Sequence, residues 1–212
     1  HRVMMRISVG LVCMTMGCGS TPEAPSEATV RERLAQPTAL YVAAATSSGA
    51  ITASRYTHDG WQDGQTALAI ADGELDASVD ATGALAIAAL VIELQPIELP
   101  SDLLGQPAEL RDVKLRLASA SSIAATWSDD DDASATATVD LSLDWTLAVG
   151  GNASPLGTEQ LQGVALAIAL AGGRGEPVTA TVTANGAGEL WTWADLLKLE
   201  GLSLAFDAVS NP

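Results

Sequence analysis

Four consecutive carboxylates, Asp129, Asp130, Asp131 and Asp132, form the densest negative charge in the chain. Oxygen-rich loops bind hard cations, which makes calcium the candidate ligand for this run. The central Gly and distal Glu of an EF-hand loop are missing, and an acidic hairpin tip also serves as a solvated turn that opposes edge-to-edge pairing. His58 is the one histidine beyond position 1. With Asp59 and a serine it supplies the formal parts of a hydrolase, yet no G-x-S-x-G elbow is present and His58 sits in a Gly-rich turn. Asp140 and Asp144 share one strand face at a spacing of roughly 13 Å. That is wider than the roughly 5 to 9.5 Å of glycosidase carboxylate pairs. Gly172-Gly173-Arg174-Gly175 lacks the Lys-Ser/Thr of a phosphate loop and leads into a strand. Trp61, Trp191 and Trp193 offer rings for stacking or interface contact, or for core packing. These residues assemble no catalytic set and no cofactor site, and calcium at Asp129 to Asp132 is the single metal candidate.

The elements that must position these groups are strands. The chain has 212 residues, enough for one domain with a sizeable core. Its hydrophobic fraction is 48%, much of it alanine, with five Trp, two Tyr and one Phe, which predicts a core that is thin or finely packed. Twenty-six acidic against ten basic residues give a net charge of −16. Nucleic acid is excluded as a partner class on that charge, because a polyphosphate needs a cationic stripe.

Residues 1 to 17 have the layout of an export signal: Arg2 and Arg6, then a largely apolar run from Ile7 to Met16 that is too short to span a bilayer. Thr15-Met16-Gly17-Cys18 resembles the lipobox of bacterial lipoproteins, with Thr15 standing where that family usually has Leu. The resemblance covers only the signal segment. It implies lipid attachment at Cys18, a membrane partner through that anchor and, from Gly19, sorting to the outer membrane of the cell envelope. Cys13 and Cys18 are the only cysteines, so a disulfide framework and a C-x-x-C redox site are absent. Residues 18 to 37 are polar and proline-punctuated, as a flexible tether would be, with a short helix expected over 27 to 36, where Val30 and Leu34 share a face ahead of Pro37.

Residues 38 to 212 read as a single all-β domain: an antiparallel meander of about nine to eleven strands closed as a sandwich or barrel, with few or no helices. Period-two patterning is strictest from 113 to 149, which predicts one long hairpin with Val113, Leu115, Leu117, Ile123 and Trp127 facing Leu141, Leu143, Trp145, Leu147 and Val149. The expected register pairs Leu117 with Trp145 and Ile123 with Val139, leaving Ser119 and Ser121 as a small-residue strip beneath leucines. Further hairpins are expected about Ser47-Ser48-Gly49 and at Asn185-Gly186, with a loop from Thr57 to Gly64. A phase change from Leu85 and Ile87 to Leu90, Ile92 and Leu94 calls for a bulge near Ala88-Ala89. One pattern recurs at Leu110, Leu161 and Leu199: Leu, any residue, Asp or Gly, then three apolar residues at alternate positions. Each copy follows a segment able to make one helical turn, Ser101 to Gly105, Ser154 to Gly157 and Ala194 to Leu197, so the pattern reads as a way of entering a strand after a crossover loop. Scarce aromatics and a charged outer face argue against a transmembrane barrel.

Together these features predict a lipid-anchored envelope protein that acts as a non-catalytic binding or interaction module for an unknown protein. A carrier of a lipid or other apolar ligand between the sheet layers is the alternative, and an envelope hydrolase the second.

Overall fold

The computed structural model describes residues 28–99, 105–128, 131–192 and 197–211. Cys18 and the whole signal segment lie outside them. The described residues form twelve strands and one helical turn, so the chain is all-β with slightly more strands than its sequence suggests. The helical turn is α1 (Val30–Arg33), and the strands run β1 (Thr38–Thr57), β2 (Gly60–Leu68), β3 (Ile70–Val79), β4 (Leu85–Leu94), β5 (Ile97–Leu99), β6 (Ala108–Leu117), β7 (Ser121–Ile123), β8 (Ala125–Trp127), β9 (Ala133–Val149), β10 (Asn152–Ala171), β11 (Thr179–Thr192) and β12 (Leu197–Ser210). Antiparallel pairing of β1, β3, β4, β6, β9, β10, β11 and β12 in that order returns to β1 and closes a ring. The short or terminal strands β2, β5, β7 and β8 attach to its members.

Alternation explains why these segments are strands. Leu75, Ala77 and Val79 are buried while Glu74, Asp76 and Ser78 are half-buried, so one face of β3 meets the core and the other meets water. The expected phase change in β4 is present: Asp76 pairs with Ala89 and Ala77 with Ile87, leaving Ala88 as the extra residue of a bulge. The bulge lets Ile87 and Leu90 both point inward.

The recurring Leu pattern is also a bulge, sited inside strands and not at their entrances. Its third residue has a left-handed backbone in all three copies, with φ of 53° at Asp112, 69° at Gly163 and 64° at Gly201. Each sits at a register shift. A residue turned out of the ladder puts the apolar side chains before and after it on the same side. Leu110 with Val113, Leu161 with Val164, and Leu199 with Leu202 are accordingly all buried. The helical turn expected at Ser154–Gly157 is instead part of β10, irregular between Pro155 and Gly157. Those expected at 101–105 and 194–197 lie mostly outside the described residues.

Residues 113 to 149 do not form one hairpin. After Leu117 the chain passes exposed Ala118, Ser119 and Ala120, crosses to pair Ile123 with Leu85 of β4, and returns as β8 against β9. Leu117 pairs with Leu141 and Trp127 with Ala133, so the expected register is replaced and the serine strip does not form. The Asp112 bulge shifts the register of β6, and Ile123 is buried where it pairs with Leu85 of β4. Two expected turns are likewise absorbed into strands. β1 continues through Ser47-Ser48-Gly49 with an irregularity between Ala43 and Ser48, closed by the Thr46 and Ser47 hydroxyls donating to the carbonyls of Ala43 and Ala44. β11 continues through Asn185-Gly186, which marks a register shift before Glu189. Gly49 is there for closeness: a Cβ would lie 2.6 Å from Leu204 Cδ2.

One pole of the ring is capped by α1. Thr29 and Glu32 form a capping box that starts the turn, and Val30 and Leu34 are wholly buried in the core cluster. Val79 N–H donates to Leu34 O at 2.6 Å and Arg33 Nη2 donates to Gly173 O at 2.8 Å. Residues assigned by sequence to the tether thus contribute to the core. At the far end β10 and β11 part: they pair only from Ala165 with Asn185 to Ala171 with Thr179, and their remaining lengths pair with β9 and β12.

Candidate functional site

The residues singled out by sequence are not brought together. Asp129 and Asp130 lie outside the described residues. Asp131 and Asp132 shape a turn: Ser128 N–H donates to Asp132 O at 2.8 Å and Asp131 N–H to Ser128 O at 3.2 Å. Among the described residues no group of three His, Cys, Asp or Glu side chains is placed to hold a metal. His58 is 89% exposed at its side chain and its Nε2 lies 2.9 Å from Asp59 Oδ1, a contact between neighbours on a turn. Asp140 accepts from the N–H of the bulge residue Gly163 at 2.9 Å. Asp144 accepts from Thr158 Oγ1 and pairs with Arg116. The Thr158 hydrogen bond, with help from Arg116, holds Asp144 below the ordinary carboxylate range. Both carboxylates therefore brace strands. Lys114 pairs with Glu93 on the same outer face.

The interior is packed. Ile51, Leu68, Leu110, Trp145, Leu161 and Leu202 are among the side chains around a cavity of about 20 Å³. A small-molecule site needs about 300 Å³ or more.

What stands out is the hairpin end. The loop between β1 and β2 is only His58-Asp59, so Trp61 belongs to a strand and not to the loop expected there. Tyr56 and Trp61 are register partners just below that turn. Their ring centroids are 5.4 Å apart with planes at 64°, an edge-to-face pair. Tyr56 is 52% and Trp61 42% exposed, two of the three large apolar side chains most open to water among the described residues. Lys198 of β12 lies with Nζ 5.3 Å from the Trp61 ring centroid. Glu200 at 2.9 Å and Glu189 at 3.6 Å hold that ammonium. The Glu200 hydrogen bond, outweighing desolvation, raises the Lys198 pKa above its ordinary value. Ser54 pairs with Asp63 on one side and Lys198 on the other, and its wholly buried hydroxyl makes no hydrogen bond among the described residues.

These elements therefore build a platform: two aromatic edges, an ammonium held over one ring, and carboxylates around it. The platform can bury apolar ring area and offer charge-assisted hydrogen bonds. Sequence reasoning marked Trp61 and missed Tyr56, Lys198, Glu189 and Glu200. The signal for Tyr56 was its symmetric placement with Trp61 about His58-Asp59, whereas the others arrive from β11 and β12 through long-range pairing. Trp193 lies outside the described residues, and Trp191 is placed in β11 opposite Lys198 by backbone register. Comparisons with protein-family models, curated proteins and solved structures returned no match.

Proposed function

We propose that the protein is exported to the bacterial envelope, anchored through lipid at Cys18 with outer-membrane sorting, and acts without catalysis as a binding module whose contact surface is the Tyr56–Trp61 platform. One observation carries the reading. The exposed aromatic pair lies at the tip of β1, while the chain leading back toward Cys18 leaves from the α1 pole at the other end of the same strand. β12 follows β1 from Leu40 to Arg55 with irregularities that take up some residues, so at about 3.3 Å per paired residue the two ends of the strand stand about 40 Å apart. An anchored molecule would hold its aromatic tip far from the bilayer. Aromatic residues with a charged rim are also what protein interfaces favour.

A photo-crosslinking amino acid at position 56 in cells should capture one discrete partner, and the same group at Thr136 on β9 should not. Trp61→Ala should abolish the capture. Equal capture from both positions, or none, would overturn the reading. For the anchor, Cys18→Ser should release the protein from the membrane fraction. The carrier alternative is disfavoured by the packed interior, and the hydrolase alternative by the isolation of His58.

A further inference from the structure

The capped pole is closed by a segment that lies outside the ladders of the ring, which begin at Thr38. Val30 and Leu34 are the only members of the core cluster that precede Leu40. Arginines hold the segment across the pole. The Arg31 guanidinium carbon is 5.4 Å from the Trp127 ring centroid at the end of β8. A Cβ at Gly83 would lie 2.8 Å from Arg31 Nη2, and Trp127 Nε1 donates to Gly83 O at 2.8 Å, so the guanidinium packs against both the ring and the turn after β3. Arg33 Nη2 donates to Gly173 O in the turn after β10, and Leu34 O accepts from Val79 N–H at the end of β3. Within the segment, Arg33 N–H donates to Thr29 O at 3.1 Å and Leu34 N–H to Val30 O at 3.0 Å. That is a single helical turn, too short to persist once detached.

We infer that α1 is a strap which traction on the Cys18 anchor peels from the pole as a unit, lengthening the anchored molecule while the ring stays closed. This rests on the anchored reading and adds a conformational device to it. Residue 28, the first described, is ten residues past Cys18, so load from the anchor reaches this segment before any strand. It meets the contacts of Arg31, Arg33 and Leu34 in succession, as a peel. The next obstacle is the pairing of β1 with β12 from Leu40 to Arg55, which is loaded along its length so that its bonds share the pull. The serial contacts therefore yield first. Release takes two apolar side chains out of the core and leaves the ladders of the ring in place. It frees residues 29 to 38, at most about 30 Å of extended chain. The anchored module gains that reach without unfolding.

The test pulls single molecules of the full chain carrying Cys13→Ser, with Cys18 as one handle and the thiol of His58→Cys as the other. The His58 side chain is 89% exposed, so that handle reaches solvent at the opposite turn. A discrete, reversible step of about 20 to 30 Å should precede opening of the ring. Arg31→Ala combined with Arg33→Ala should favour the released state at least about tenfold at equal force. Arg174→Ala, an exposed arginine next to Gly173, should leave the step unmoved. Without force, the Arg33, Leu34 and Val79 amides of the unaltered chain should exchange together and at least about tenfold faster than those of Leu40 and Tyr41. Opening of α1 and the ring in one event, a step that the double variant leaves unmoved, or α1 amides that exchange only with those of the ring would overturn the inference. Any of these, with Cys18→Ser protein released from the membrane fraction, leaves the anchored reading standing. Cys18→Ser protein that stays with the membrane removes the anchor and with it the traction, and overturns both.

Discussion

The two poles of the ring solve opposite problems with the same few residue types. At the capped pole Val30 and Leu34 are wholly buried, and the turn from Asp80 to Ala84 is stitched by its own side chain, Asp80 accepting from the N–H groups of Thr82 and Ala84. At the hairpin pole the strands of the ring part, and the largest side chains, Tyr56 and Trp61, are half in water. The capped pole buries Val30 and Leu34 and leaves Tyr41 exposed on the flank of β1, whereas the hairpin pole holds two large rings, Tyr56 and Trp61, against each other outside the core. Burying a large side chain contributes about 1.5 to 3 kcal/mol, so leaving two rings exposed forgoes stability that selection could have taken.

The sharpest way to break the comparison is to exchange its terms. Leu34→Ala should lower stability by about 2 to 5 kcal/mol in urea unfolding while leaving capture at position 56 unchanged in the fraction that stays folded. Between the poles, Gly163→Ala should cost about 1 to 2 kcal/mol, because an added Cβ meets open space and the penalty is the left-handed backbone. The complementary change Asp112→Gly should gain a few tenths to about 1 kcal/mol in the same measurement. Trp61→Ala should change stability by less than about 1 kcal/mol and abolish capture, the reverse of Leu34→Ala. The smallest effect is in pH. Hydrogen bonds from Thr82 lower the Asp80 pKa, so its contribution is present above the unfolded carboxylate value and is lost as pH falls through the folded one. The Lys198 pKa is raised by Glu200, so its contribution is present below the unfolded lysine value and is lost as pH rises through the folded one. Residue-resolved amide exchange should therefore show the Asp80 turn loosening first in acid and the Lys198 neighbourhood first in alkali.

Period-two patterning made the strands legible, since burial of one face is a local property of sequence. The bulge at Ala88 could be read from phase alone. The repeated Leu pattern was visible, but its meaning was not, because a left-handed residue and a crossover loop look alike without a partner strand. Registers failed where a bulge intervened: Asp112 displaces β6, and nothing in the sequence distinguishes its partner β9 from β4, which Ile123 joins. Ser47-Ser48-Gly49 and Asn185-Gly186 have turn chemistry and were absorbed into strands, because neighbours on both sides of β1 and the ladder of β12 overrode local preference. At the platform, Trp61 was legible by type. Lys198 and its carboxylates were not, since they reach Trp61 through pairings more than a hundred residues apart.

β1 has a mechanical consequence. The path from residue 38 to the tip is a single covalent strand already near full extension, so traction between the α1 pole and the Tyr56–Trp61 platform loads that backbone directly. Because β12 pairs with β1 from Leu40 to Arg55, such a pull also loads that ladder in shear. The one length of slack in the path is the irregularity between Ala43 and Ser48, closed by two hydroxyl hydrogen bonds. Drawing it straight would lengthen the path by a few residues' rise and slide one part of β1 along its ladder with β12.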